Sequence, residues 1–236
     1  MIEMDKLCVQ FGGVRAIDAL STTLDAPVCG LIGPNGAGKT TLVNVLSGLV
    51  QPRSGTVRVD GSDLLKKSPL QRVRFGLRRS FQTEQVVEDL SVWDNLQAVL
   101  DHVPAGSGPR LEQLARVLDY VGLLPVATRM GLRLNLFERR LVEIGKALVG
   151  QPRLLLLDEP GAGLTEHEAA RLRELLCGIP DFCGAQVLLI DHDVDLIAAT
   201  CSQTLVLDFG RRLALGPTRE VLQDPAVQAA YLGVSE

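Results

Sequence analysis

The nine residues Gly33-Pro34-Asn35-Gly36-Ala37-Gly38-Lys39-Thr40-Thr41 read as G-x-x-x-x-G-K-T followed by a second threonine, a spacing with a specific chemical use. Glycines in such a loop let successive backbone N–H groups turn inward around a phosphate. A helix opening directly after the loop adds the partial positive charge of its N-terminus. Lys39 is expected to neutralise β- and γ-phosphates, and Thr40 to hold Mg²⁺. Further along, Leu154-Leu155-Leu156-Leu157-Asp158-Glu159 sets two carboxylates at the end of an apolar run. In an open parallel sheet that end of a strand is where ligands bind. Asp158 is then a candidate Mg²⁺ ligand, directly or through water, and Glu159 a candidate for polarising a water that attacks a γ-phosphate. Alone, the first feature is a glycine turn and the second a solvated strand end. Together they point to phosphoryl transfer from a nucleoside triphosphate to water.

The elements that must position these groups can be read from the pattern around them. Residues 6–11 alternate, Gly12-Gly13 turns, and a second short strand is expected over 16–20. A buried strand at 28–32 runs into the glycine loop, and a helix is expected over about 39–48; 55–59 followed by Asp60-Gly61 reads as a strand and turn. From about residue 88 to 150 the pattern turns helical, with Leu111, Leu114, Leu118 and Val121 recurring at spacings of three and four. Residues 154–157 form a continuous apolar strand, as a parallel sheet covered on both faces requires. Thr165-x-x-Glu168 is a capping box that opens a helix expected to end near Gly178. Residues 187–190 and 204–207 are further strands, before a short helical tail. The chain is expected to be one α/β domain of the three-layer P-loop nucleotide-binding class. It should have a mixed sheet, an N-terminal antiparallel β part, a core at 1–87 and 151–236, and an inserted helical subdomain at 88–150.

Bulk composition narrows the partners. The 236 residues carry a net charge of −4, with 46% hydrophobic, 22% charged and 4% aromatic residues. This is an ordinary globular balance with no basic footprint and little aromatic surface for stacking on bases, so no nucleic acid is expected. Five cysteines without a CxxC pair read as reduced core thiols rather than metal ligands. The opening MIEMDKLCVQF has no basic-then-apolar leader, and no apolar run approaches the roughly 18 residues that span a bilayer. A cytoplasmic protein is expected, and any membrane part must come from other chains.

The two motifs and their surroundings resemble the ABC ATPase family over nearly the whole chain. The resemblance implies ATP and Mg²⁺ as ligands. It also implies that Phe11 stacks on adenine, that Gln82 in Arg79-Ser80-Phe81-Gln82 contacts Mg²⁺ and water, and that His192 in Asp191-His192-Asp193 contacts the γ-phosphate. Gly163-Leu164-Thr165 is similar to the family's loop that crosses to a second monomer. The runs Phe11-Gly12-Gly13, Arg78-Arg79-Ser80-Phe81-Gln82 and Ala230-Tyr231-Leu232-Gly233 look like ATPases of branched-chain amino acid importers. The partners so implied are a second ABC ATPase subunit and two integral membrane permease subunits that hold the chain on the inner face of the cell membrane. The substrate carried is chosen by those other subunits, not by this one.

One motif departs from the family. Its signature, Leu-Ser-Gly-Gly-Gln or near it, is replaced by Leu134-Asn135-Leu136-Phe137-Glu138. Asn135 remains a good N-cap and Glu138 completes a capping box. The resemblance implies, however, that Phe137 stands at the family's second signature glycine, where backbone approaches the partner's γ-phosphate, and its benzyl group is expected to crowd that approach. The phosphate loop, Asp158, Glu159 and His192 look intact. An unequal pair of ATP sites in a heterodimer is therefore favoured over a homodimer. The alternative is a nucleotide-gated regulatory or scaffold subunit with little turnover of its own.

Overall fold

The computed structural model of the chain describes residues 1–81, 85–106 and 108–232. Along the chain run β1 (Ile2–Phe11), β2 (Val14–Leu24), β3 (Val28–Ile32), α1 (Lys39–Ser47), β4 (Ser54–Val59), β5 (Ser62–Asp63), α2 (Pro69–Phe75) and β6 (Leu77–Arg79). They are followed by α3 (Val92–Leu100), α4 (Arg110–Tyr120), α5 (Leu136–Leu148), β7 (Leu154–Asp158) and α6 (Glu166–Cys183). The chain closes with β8 (Gln186–Ile190), α7 (Val194–Thr200), β9 (Gln203–Asp208), β10 (Arg211–Pro217), α8 (Thr218–Gln223) and α9 (Pro225–Val227). Two units form, Met1–Arg72 with Gln186–Glu236, and Val73–Ala185. The expected class, α/β with an N-terminal antiparallel sheet and a mixed sheet, is the one observed.

In the first unit an antiparallel sheet has the order β2-β1-β4-β5. Strand β1 buries Ile2 and Met4, then Leu7 and Val9. The change from even to odd positions falls at a register irregularity between Met4 and Leu7, where Lys6 takes φ +47. One extra residue shifts the inward face by one, so both halves of a long strand stay packed. Beside this sheet, β3 pairs in parallel with β8 and β9, and β10 closes antiparallel on β9. Strands β3 and β8 are buried at every residue, which explains the apolar runs over 28–32 and 187–190. Helix α1 leaves the end of β3 and stops at Gly48, whose φ of +83 ends it in the left-handed region.

The exposed-looking C-terminus of α1 is satisfied from inside. Arg72, fully buried, donates Nη1 to the carbonyls of Val45 and Leu46, the latter at 2.9 Å, and Nε to Lys67 O at 3.0 Å. A guanidinium against the last carbonyls of a helix answers both their unmade hydrogen bonds and the helix's negative end. Desolvation holds the Arg72 pKa below its ordinary value, with Asp63 opposing that shift.

In the second unit β6 and β7 pair in parallel, and Leu154, Leu155, Leu156 and Leu157 are all fully buried. Burial of each leucine is worth roughly 1.5–3 kcal/mol. Helix α3 opens on Ser91, whose side chain accepts the N–H of Asp94, and packs against α5 at Gly145. A Cβ on Gly145 would stand 3.2 Å from Leu96 Cδ2, so the small residue sets that contact. The helix expected to end near Gly178 runs on to Cys183 and stops at Gly184, φ +73. The reason is packing. Tyr120 donates its hydroxyl to Leu175 O at 2.6 Å and stacks on Phe182 with ring centroids 4.0 Å apart. Gly178 leaves room for that ring, since a Cβ there would meet Tyr120 Oη at 2.8 Å. These contacts carry α6 through Pro180 despite the missing N–H.

Replacing Arg72 with Met, which keeps the stem and removes the donors, should lower unfolding free energy by about 1.5–3 kcal/mol, read as a fall in urea midpoint at unchanged slope.

Candidate functional site

The phosphate loop bridges β3 and α1, and two of its glycines are fixed by geometry. Gly33 has φ +147, and a Cβ there would stand 2.1 Å from Leu207 O. Gly38 has φ +104, and a Cβ there would stand 2.5 Å from Ala16 O and 2.9 Å from Ile17 Cδ1. No other residue takes both the backbone angle and the space. The loop is closed by Ala37 N–H donating to Pro34 O at 3.1 Å, and Gly210 N–H donates to Ala37 O at 3.0 Å. Helix α1 has no side-chain cap at its N-terminus and no acid in its first turn. Lys39 reaches back over the loop, its Nζ 2.5 Å from Gly33 O and 3.0 Å from Pro34 O. Asn35, Gly36 and Thr40 are exposed, while Thr41 is half-buried. A helix start with no side-chain cap, beside an ammonium that reaches the carbonyls of Gly33 and Pro34, fits a polyphosphate.

Phe11 lies at the end of β1, register-paired with Val14 across the Gly12-Gly13 turn, and is 52% exposed. That leaves a ring face open for stacking. His192 lies between β8 and α7, with its side chain 69% exposed and Nδ1 3.7 Å from Asp191 Oδ1. Asp191 itself is buried and accepts the Asp193 N–H at 3.0 Å. Asp193 in turn caps α7 by accepting the N–H groups of Asp195 and Leu196. This pair of turns holds His192 outward at the C-terminal end of a sheet strand.

The remaining predicted residues belong to the second unit. Asp158, 4% exposed, ends β7 and donates its N–H to Ser80 Oγ at 3.0 Å. Its Oδ2 lies 3.5 Å from Arg79 Nη2. Burial holds the Arg79 pKa below its ordinary value, and the Asp158 carboxylate opposes that. Glu159 follows with φ +50, a conformation that costs a non-glycine residue about 1–2 kcal/mol and aims its side chain away from the strand's alternation. Gln82 lies outside the described residues. A carboxylate and a hydroxyl are the hard oxygen donors Mg²⁺ takes, so Asp158 and Thr40 each suit it chemically.

At the start of α5 the capping box is formed. Asn135 Oδ1 accepts the Glu138 N–H at 2.8 Å, and Glu138 Oε2 accepts the Asn135 N–H at 3.1 Å. Glu138 Oε1 lies 2.5 Å from Arg129 Nη1. Phe137 turns inward, 7% exposed, with the Arg171 guanidinium 5.7 Å from its ring centroid. The bulk presented at this helix start is therefore Leu136, 41% exposed, whose Cδ2 lies 3.2 Å from where a Cβ on Gly163 would stand. Further along α5, Glu143 Oε1 accepts the Gln85 N–H at 2.8 Å and Lys146 Nζ donates to the Gln85 carbonyl. Sequence reasoning assigned no chemistry to Arg79, Ser80, Arg129, Glu143 or Lys146. Only the buried arginine pair before the Ser-Phe-Gln run carried a signal.

The model of the ABC transporter family matches residues 19–162. The chain belongs to the ABC transporter family. A second model, described as branched-chain amino acid ATP-binding cassette transporter, matches residues 211–236. The high-affinity branched-chain amino acid transport ATP-binding protein LivG of Salmonella typhimurium is 33% identical, covering 99% of this chain and 98% of its own. BraF of Pseudomonas aeruginosa, described in the same terms, is 32% identical with the same coverage. Among solved structures, the ADP conformation of the ABC transporter cassette MJ1267 superposes with a TM-score of 0.88 at 27% identity, covering 99% of both chains. As a member of this family the chain is a nucleotide-binding P-loop ATPase. Among the described residues, no helix is long and apolar enough to cross a membrane.

Gly38→Ala should weaken ATP binding by at least about tenfold, from the combined strain and clash at that position, measured with a fluorescent ATP analogue. Glu159→Gln should leave that affinity within about threefold while cutting turnover by roughly 10²-fold or more, measured as phosphate release with a second cassette of intact signature present.

Proposed function

We propose that this chain is the ATP-hydrolysing subunit that energises a membrane importer of branched-chain amino acids or related small polar solutes, working with a partner cassette of different sequence. The contrast between two helix starts carries this reading. Helix α1 begins with open N–H groups, no acid and a lysine beside it. Helix α5 begins with both ends of its capping box made and a carboxylate among its first residues. The first is built to receive phosphate. The second puts the Glu138 carboxylate and the exposed side chain of Leu136 at that point, so it is a poor surface for a partner's γ-phosphate.

In this reading Phe11 stacks on adenine, and residues Gly33, Pro34, Asn35, Gly36, Ala37, Gly38, Lys39, Thr40 and Thr41 hold the phosphates. Thr40, Gln82 and Asp158 hold Mg²⁺, which neutralises phosphate charge when bound. Glu159 orients and polarises the attacking water, Gln82 contacts that water as well as Mg²⁺, and His192 contacts the γ-phosphate. Residues 88–150 act as the helical subdomain that meets two permease subunits at the inner face of the cell membrane, where the chain is peripheral and otherwise cytoplasmic. Asn135, Leu136 and Glu138 face the partner's ATP and make that site slow, with Phe137 packed inward behind them. The branched-chain solute class is supported by LivG and BraF, which are branched-chain amino acid transport proteins. The capped start of α5 also bears on the second reading, a regulatory or scaffold subunit, because two such starts in a homodimer would leave both sites slow.

ATP hydrolysis by the purified chain should stay near the Glu159→Gln background at all protein concentrations and rise at least about tenfold when a cassette with an intact signature is added. Leu136→Gly with Glu138→Gln should raise turnover of the purified chain severalfold. Glu159-dependent turnover that climbs with the concentration of the unmodified chain would show a working homodimer and end the asymmetric reading. Binding without rescue by the partner would favour the regulatory one.

A further inference from the structure

Arg79 ends β6, and its register partner on β7 is Leu156, so it reaches the same strand end as Asp158. Its guanidinium carbon lies 4.9 Å from the centroid of the Phe81 ring, and Nη2 lies 3.5 Å from Asp158 Oδ2. The side chains of Arg79 and Asp158 are 9% and 5% exposed. Between them in sequence, Ser80 donates its N–H to Leu156 O at 2.9 Å and accepts the Asp158 N–H on its hydroxyl at 3.0 Å. Three consecutive residues therefore hold Asp158 at both ends. Ser80 fixes the backbone, Arg79 faces the carboxylate, and Phe81 supports the guanidinium. The next residue in the chain is Gln82.

A unit positive charge this close to a buried carboxylate oxygen cancels much of the charge a divalent cation would use, and it repels the cation directly. Arginine stays charged through this, since its pKa remains far above neutrality even when burial lowers it. The planar guanidinium also fixes the direction of the carboxylate, because the stacked ring limits where its donors point. A lysine in its place would bring a compact charge without that planar geometry.

We propose that Arg79 is a positioning residue that sets how tightly Asp158 holds a divalent cation, so that the segment running into Gln82 controls metal affinity through the guanidinium. The proposal rests on the reading of Asp158 as a Mg²⁺ ligand. It makes metal binding sensitive to movement of residues 79–81. Drawing the guanidinium away from Asp158 tightens the cation, and pressing it closer loosens the cation.

The test uses the full chain saturated with ADP and titrated with Mn²⁺, reading free Mn²⁺ by electron paramagnetic resonance. Arg79→Gln should tighten Mn²⁺ by about tenfold while ADP affinity in the absence of metal stays as it was. Phe81→Leu, at a partly exposed side chain that leaves every charge in place, should tighten Mn²⁺ by a smaller factor and serves if the first variant does not fold. Asp158→Asn should weaken Mn²⁺, and the double variant Arg79→Gln, Asp158→Asn should match it. A purely structural role for Arg79 would lower the melting temperature without moving the Mn²⁺ isotherm. An unmoved isotherm, or weaker Mn²⁺ binding, in Arg79→Gln or Phe81→Leu beside a weakened Asp158→Asn would overturn the proposal and leave the metal role of Asp158 standing. An isotherm unmoved in Asp158→Asn would remove that metal role, and the proposal with it.

Discussion

The start of α1 must stay bare, and that constraint organises the first unit. A helix N-terminus normally recruits a side chain to its free N–H groups, but one that receives phosphate has to leave them open and still be held in place. The chain solves this with backbone alone. Gly38 sits against the carbonyl of Ala16 and Gly33 against that of Leu207, at distances that only hydrogen can occupy. Gly210 bonds the loop from the β9–β10 turn and also accepts the Asp18 N–H with its own carbonyl. Strands β2 and β9 thus serve as walls of the loop. At the other end of the helix Arg72 caps the C-terminal carbonyls from within the core, so α1 is anchored at the end that has no ligand to meet.

The second unit solves the opposite problem. Its α5 begins with the N–H groups of Asn135 and Glu138 answered by each other's side chains, and Arg129 donates to the Glu138 carboxylate. Such a start is stable without any partner, which is what a self-contained cap provides. Asp158 is handled in a third way. It is buried and carries a charge that the fold balances with Arg79 rather than leaving it to solvent. The helix start is therefore left uncapped where a polyphosphate belongs and capped at the signature position, and the carboxylate at the strand end is balanced by Arg79.

Much of this could be read from the chain before its shape was known, for local reasons. A glycine loop between an apolar strand and a helix specifies its own geometry, and β3, β7, β8 and β9 declare themselves by short, largely apolar runs. Both capping boxes were legible, at Thr165 and at Asn135, because their partners are three residues apart. What failed was set by distant contacts. Gly178 with Pro180 nearby reads as a helix end, but Tyr120 and Phe182 carry the helix past it. Phe137 reads as an outward obstruction, but packing near Arg171 of α6 takes the ring inside and leaves Leu136 in its place. The short strands β5 and β6 and the edge strand β10 have too little alternation to signal themselves. The role of Arg79 depends on β6 lying against β7, which no local pattern states.

The grip of α5 on Gln85 has a mechanical consequence. Glu143 and Lys146 stand three residues apart on one face and take both the N–H and the carbonyl of that residue. The helix that bears them begins at the signature and is 13 residues long, a rod of about 20 Å. A regular α-helix of this length resists stretching and bending far more than the loops at its ends. Displacement of Leu136 along the axis therefore reaches the peptide of Gln85 as travel, not as deformation. The signature end and the grip on Gln85 lie about 10–15 Å apart along one helix, so axial movement of either is passed to the other as by a pushrod.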